Sequence, residues 1–336
     1  MKETRAHITL IGRHFPHHAA HSGYDQLAAH LNTPLQWFPG RPPVSKLCQP
    51  YINSWYTFNA ALQETRVALE MSRKTGTQLV HFLYSEQSYR TAATICDSPS
   101  IKWIATFHQP PSILPKIRID ASVIQGLTAI VLMGRTQREY FQKLGAKHIH
   151  VIPHGVDCSY YSPTEQPRVQ FRILTVGHWL RDFDTYFEVA EAAIKQQLPL
   201  QFRLISRAFV PKKIIPGNCS IGNSVTDEQL LSEYTSASCF YLPLLDATAN
   251  NGLLEALACG LPAVVSDTGS ISDYVGDRGA VILCKDNLEE HLSALLLVSS
   301  IGKDYQQRSS AARETAKSYD WNRIAPAYES LYERYV

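Results

Sequence analysis

Asn250, Asn251 and Gly252 form a turn ahead of a short helical run that carries Glu255, within the stretch "LPLLDATANNGLLEALACGLPAVVSDTGSISDYV". Asparagine suits a helix N-terminus, where exposed backbone amides attract anions. A second candidate lies near the start, where Gly23 in "RHFPHHAAHSGYDQLAAHL" precedes another helix-like run. A glycine there lets backbone N–H groups approach a phosphate, although an ordinary turn glycine reads equally well. His108 in "TFHQPP" follows an apolar strand-like run, a position that suits hydrogen bonding to a hydroxyl better than proton abstraction.

The elements that must position these residues alternate along the chain. Apolar, β-rich runs "HITLIG", "LVHFLYS", "IKWIATF", "AIVLMG" and "IHVIPHG" are separated for the most part by helical patterns, and the rhythm restarts with "FRILTVG", "QFRLIS", "SCFYLPL" and "PAVVS". That alternation predicts an α/β fold with parallel sheets covered on both faces. A polar, proline-bearing pause places the boundary near Tyr161 to Gln170, giving domains over 1–162 and 168–320. Thr226 with Gln229 reads as a capping box, and Gly260 then Pro262 close the helix through Leu257. Trp321, Ile324, Tyr328, Leu331, Tyr332 and Tyr335 recur at helical spacing, so the segment 321–336 is expected to dock an apolar stripe back onto the first domain.

Size and composition bound the function. A chain of 336 residues with 45% hydrophobic and 18% charged residues suits two globular domains. Its 32 basic and 30 acidic residues do not call for a nucleic acid partner. Seven scattered cysteines form no C-x-x-C pair, so reduced thiols in a cytoplasmic protein fit better than disulfides or zinc. No signal peptide is legible, and the apolar run Ala294 to Val298 is far too short to span a bilayer, which leaves peripheral membrane contact open.

Leu242 to Val275, with "VIPHGVD", "ILTVGHWLRDF" and the closing "YDWNRIAPAYESLYERY", closely resembles the retaining GT-B glycosyltransferases of family 4, glycosyl transferases group 1. The resemblance covers nearly the whole second domain and is looser in the first. It implies two Rossmann-like domains whose parallel sheets face across a cleft, and a nucleotide-sugar donor bound by the second domain. Glu255 matches the second glutamate of the family's E-x7-E signature, which hydrogen-bonds the nucleotide ribose. The first glutamate falls at Ala247, with Asp246 adjacent, so the contacts to the sugar hydroxyls depart from the pattern. Asn250, Asn251, Gly252 and Leu253 match the amides offered to the donor phosphates. In "GHWLRDF", His178 stands where the family has arginine, and Arg181 is the candidate for the cation that follows. A departing diphosphate gains charge that a metal-free site must neutralise, so Arg181 carries more of that load. His108 matches an acceptor-domain histidine near the reacting sugar, while Ser206 and Arg207 match a loop that approaches the donor.

Two features imitate metal sites. "DFD" at Asp182 to Asp184 leads into a helical run and is read as N-terminal capping, and His14, His17, His18 and His21 match no zinc spacing, so neither metal nor cofactor is expected. Aromatics in "QPYINSWYTFNAAL", including Tyr51, Trp55, Tyr56 and Phe58, are read as helical core rather than an acceptor surface. The expectation is retaining transfer of a sugar from a nucleotide sugar to an acceptor the sequence does not identify. A catalytically impaired nucleotide-sugar-binding scaffold and a GT-B epimerase stay open as alternatives.

Overall fold

The computed structural model describes residues 7–12, 20–39, 55–207, 214–223, 225–276, 278–285 and 287–336. The chain divides into two compact units, one of Met1–His18, Gly23–His154 and Trp321–Val336, the other of Ala19–Ser22 and Gly155–Asp320.

In unit 1, the strands β1 (His7–Gly12), β2 (Leu35–Pro39), β3 (Gln78–Phe82), β4 (Ile101–Phe107), β5 (Ala129–Leu132) and β6 (Ile149–Val151) form one parallel sheet in the order β2-β1-β3-β4-β5-β6. Its helices are α1 (Leu27–His30), α2 (Phe58–Ser72), α3 (Ser85–Ser88), α4 (Ala92–Ile95), α5 (Leu114–Ile117), α6 (Ala121–Gln125) and α7 (Arg138–Lys143). β3 is buried along its whole length and β4 nearly so, as expected of apolar strands covered on both faces. The order reverses between β1 and β3, which makes the loops after those strands a topological switch point.

Unit 2 repeats the plan. β7 (Arg172–Val176), β8 (Gln201–Ile205), β9 (Cys219–Gly222), β10 (Cys239–Leu242), β11 (Ala263–Ser266) and β12 (Val281–Cys284) form a second sheet in the order β12-β11-β10-β7-β8-β9, again parallel throughout. Here the switch point lies between β7 and β10. The helices α8 (Phe183–Lys195), α9 (Asp227–Ser236), α10 (Asn251–Ala258), α11 (Leu288–Ser299) and α12 (Tyr305–Lys317) cover it. Tyr186, Phe202 and Tyr241 pack on one face with Leu292 and Leu295, and Tyr234, Phe240, Leu253 and Leu257 pack in the other core cluster.

The division at 154/155 falls earlier than the end of the first domain read from sequence at 162. Residues 155–162 join unit 2 because Val156 donates its amide to the Tyr319 carbonyl at 2.9 Å, and Arg313 of α12 binds the carbonyls of Cys158 at 2.8 Å and Tyr161 at 2.7 Å. The closing helix α13 (Trp321–Glu333) belongs to unit 1. Trp321, Ile324, Tyr328, Leu331 and Tyr332 are buried there, the Tyr332 hydroxyl lies 2.7 Å from His81 Nδ1, and Glu329 accepts the amides of Asn32 at 2.6 Å and Thr33 at 3.2 Å.

The aromatic run before α2 is only partly core. Tyr56 is buried and donates to Glu64, whereas Phe58 is 47% exposed, and Tyr51 lies outside the described residues. Asp182 accepts the Thr185 amide at 3.0 Å as the N-cap of α8, which accounts for the "DFD" motif, and the Thr226/Gln229 capping box forms at the start of α9. Among the described residues no helix is long and apolar enough to cross a membrane, and no group of three or more His, Cys, Asp or Glu side chains could hold a metal ion. His14, His17 and His18 lie outside those residues; His21 is described and pairs with Asp157 at 3.0 Å.

Candidate functional site

β7 ends at Val176, and the chain turns through Gly177 at φ 95°, where a side chain would be both strained and 2.8 Å from the Arg181 guanidinium. That guanidinium folds back over the strand end. Its Nε and Nη2 donate to the Val176 carbonyl at 3.0 and 2.8 Å, Nη1 donates to the Trp179 carbonyl at 3.1 Å, and Nη2 lies 3.5 Å from Asn250 Oδ1. Desolvation lowers the Arg181 pKa to about 10, opposed by Tyr234 and Glu255, so it is charged throughout the neutral range. Arg181 and Asn250 thereby join the loops after β7 and β10, on the two sides of the unit 2 switch point, where open α/β sheets place their ligands.

Asn250 is the N-cap of α10, its Oδ1 accepting the Leu253 amide at 3.1 Å. This alters one expectation: the Leu253 N–H already has an acceptor, which leaves the amides of Asn251 and Gly252 as the α10 donors available to an anion. Gly252 lets the helix start run close to its neighbours, since a Cβ there would meet Phe240 and the Tyr234 hydroxyl at 3.4 Å.

One turn further on, Glu255 is 6% exposed. Its Oε1 accepts from the Ser22 hydroxyl, its Oε2 accepts from the Tyr234 hydroxyl at 2.8 Å, and Ser22 Oγ also lies 3.2 Å from the Tyr161 hydroxyl. Burial raises the Glu255 pKa above the usual carboxylate range, against the hydrogen bonds from Ser22 and Tyr234 that favour the ion. Each carboxylate oxygen has a second acceptor direction, so vicinal hydroxyls of a ribose remain compatible with these bonds. The residues 19–22 belong to unit 2 through such contacts: His21 also stacks on Tyr160 with ring centroids 3.7 Å apart, and the Ala20 amide donates to Asp227 at 2.8 Å.

The neighbouring strand ends supply two buried hydroxyls, Ser206 Oγ after β8 and Thr248 Oγ1 after β10, with no hydrogen-bond partner among the described residues. Buried polar atoms left this way ask for a ligand or water. Ala247 is buried, its amide donating to the adjacent Asp246 carboxylate at 2.8 Å, and its carbonyl would lie 2.0 Å from a Cβ placed on Gly269. His178 is exposed, and its pKa is lowered by partial desolvation and by Arg181.

Gly23 and His108 belong to unit 1. Gly23 has φ 108°, a conformation that favours glycine, and leads into a short 3-10 turn over Tyr24–Gln26. His108, after β4, is 7% exposed and faces the buried Glu86 carboxylate. Sequence reasoning missed Ser22, Tyr234, Thr248 and Glu86. Thr248 lies inside the decisive motif and was within reach of it.

The family model described as glycosyl transferases group 1 matches residues 170–298. The chain is 26% identical over 205 residues to the GDP-mannose-dependent alpha-(1-6)-phosphatidylinositol dimannoside mannosyltransferase of Mycobacterium tuberculosis, covering 56% of this chain and 53% of that protein. It is 25% identical over 210 residues to the MMP alpha-(1->4)-mannosyltransferase of Mycolicibacterium hassiacum, covering 56% of this chain and 49% of that protein. It therefore spans about half the length of these curated relatives. Among solved structures it is similar in fold to sucrose-phosphate synthase from Thermosynechococcus elongatus, with TM-score 0.70, 15% identity and coverage of 98% and 99% of the two chains. It is likewise similar to HepE of Anabaena in complex with UDP, with TM-score 0.66, 10% identity and coverage of 98% and 100%. The match over 170–298, which contains Arg181, Asn250 and Glu255, makes this segment similar to glycosyl transferases group 1, and the two parallel six-stranded sheets have the GT-B fold.

Proposed function

We propose that this chain is a retaining, metal-independent glycosyltransferase that moves a hexosyl group from a nucleoside-diphosphate sugar to an acceptor hydroxyl. The observation that carries the reading is the junction of Arg181 and Asn250 across the unit 2 switch point, one helical turn ahead of the buried Glu255. In this reading the amides of Asn251 and Gly252 and the Arg181 cation hold the diphosphate, Glu255 accepts the ribose hydroxyls, and Ser206 and Thr248 supply polar contacts to the donor. The acceptor oxygen bonds to the anomeric carbon as the bond to the diphosphate breaks on the same face, and the acceptor proton passes to the departing phosphate oxygen. Preorganised charge at that oxygen lowers the barrier. His108 in unit 1 bonds a sugar hydroxyl.

Ala247, buried where a signature carboxylate is expected, favours a second reading, a protein that binds nucleotide sugar without transferring it. The relatives named as mannosyltransferases make GDP-mannose the first donor to try, with UDP-sugars second because HepE is described with UDP. The test combines thermal-shift titration with GDP and UDP and incubation of the matching sugar nucleotides, in EDTA, with a panel of glycan and glycolipid acceptors. Nucleoside diphosphate release with an α-linked product from an α-linked donor is expected. Saturable binding without turnover supports the second reading, and absence of any nucleotide binding overturns both.

A further inference from the structure

Beside the switch point of unit 1, after β3 and β4, lies a buried acid–imidazole pair. Glu86, in the turn after β3, is 3% exposed, and its Oε1 accepts two backbone amides, those of His108 and of Gln109, the latter at 2.8 Å. Its Oε2 lies 3.3 Å from His108 Nδ1. Two backbone N–H donors on one carboxyl oxygen favour the ionised form over the neutral acid. Burial raises its pKa, but the adjacent His108 and the hydrogen bonds from the His108 and Gln109 amides outweigh that and hold it below the usual range.

An anionic oxygen facing Nδ1 requires a proton on Nδ1. The other ring nitrogen, His108 Nε2, is buried and has no hydrogen-bond partner among the described residues. The ring cannot easily turn away. Tyr24, which opens the 3-10 turn ahead of α1, lies across it with centroids 3.6 Å apart, and Tyr84 lies at 5.2 Å. The other groups around the pair do not compete for Nδ1. His81 on β3 has both nitrogens engaged, by the Tyr332 and Thr106 hydroxyls at 2.7 Å, and desolvation lowers its pKa to about 3, so it is neutral. Arg90 donates to the Glu86 carbonyl at 2.8 Å rather than to its carboxylate, and the His154 ring packs against Tyr24.

We infer that Glu86 is a positioning residue that holds His108 with its proton on Nδ1 and so presents Nε2 as the acceptor for a hydroxyl of the sugar substrate. The second half of the inference rests on the transfer reading above; the first half stands on unit 1 alone. The arrangement gives the histidine a fixed polarity. Neutral His108 accepts a hydroxyl proton through Nε2, and the same carboxylate steadies the imidazolium if that proton moves across.

The test uses the full chain with 15N-labelled histidine. The resonances of the neutral His108 ring, assigned by their loss in His108→Gln, are expected to show Nδ1 protonated and Nε2 unprotonated, and Glu86→Gln is expected to populate the opposite tautomer. In the same variant, kcat/KM is expected to fall by roughly 10–100-fold, the size typical when an orienting partner of a histidine is lost. A proton on Nε2 rather than Nδ1 in the neutral wild-type histidine overturns the inference whether or not Glu86→Gln folds. Wild-type kinetics in His108→Gln would leave the tautomer intact and overturn the sugar-contact half, while failure to bind any nucleotide would instead remove the transfer reading.

Discussion

Two of the buried glutamates, Glu255 and Glu86, are held in opposite ways, and their titration separates them. Glu255 has a raised pKa, so its favourable contribution to stability is present at low pH and is lost as pH rises through its folded value. Glu255→Gln is therefore expected to leave the melting temperature at pH 7 unchanged or higher while donor affinity falls about 10–100-fold, the loss of charge-assisted hydrogen bonds. Unaltered donor affinity would remove the ribose role. Glu86 has a lowered pKa, so its contribution is present above the ordinary carboxylate range and is lost as pH falls through the folded value. Acid melts comparing wild type with Glu86→Gln should converge as the pH drops below about 4, the ordinary carboxylate range. Arg181→Ala is expected to lower kcat by about 10²–10³, the cost of removing a preorganised charge at a developing anion, and Arg181→Lys should recover part of it. Equal turnover in Arg181→Ala would place the counter-charge elsewhere.

At the scale of elements, legibility in the sequence follows burial. The interior strands β3, β4, β5, β7, β8, β10 and β11 coincide with apolar runs because both faces are covered. The edge strands β2, β9 and β12 went unread, β9 and β12 being only partly buried and too short for a long apolar signal, whereas the edge strand β6, also partly buried, was legible through the run "IHVIPHG". The proposed donor loop was legible because Asn250, Gly252 and Glu255 stand within six consecutive residues, so one local motif carries them. Ser22 was not, since its bond to Glu255 spans 233 positions, and the Glu86 bonds to the chain at His108 span 22 positions between two strands. No periodicity reports such pairs. The N-cap of α10 gives an element-level test. Asn250→Ala should cost about 0.5–2 kcal/mol in a denaturant melt and Asn250→Ser much less, because serine restores the cap oxygen. Gly269→Ala should be worse than either, since φ is +58° and the new Cβ would lie 2.0 Å from the Ala247 carbonyl, forcing the loop to move.

At the scale of the molecule, the two units have separate sheets and cores, and the proposed donor groups other than Gly23 lie in unit 2. Saturating nucleoside diphosphate is expected to raise apparent stability by about 2.7 kcal/mol at 100 times its Kd. Hydrogen exchange should locate new protection in the loops after β7, β8 and β10. Protection confined to unit 1 would contradict the donor assignment.

The helix α13 ties unit 1 to residues that a ribosome makes after all of unit 2. Until Tyr332 reaches His81 and Glu329 reaches the amides of Asn32 and Thr33, the sheet of unit 1 lacks part of its cover, whereas residues 155–320 are already translated. During synthesis the earlier-made unit is thus the later one to be completed.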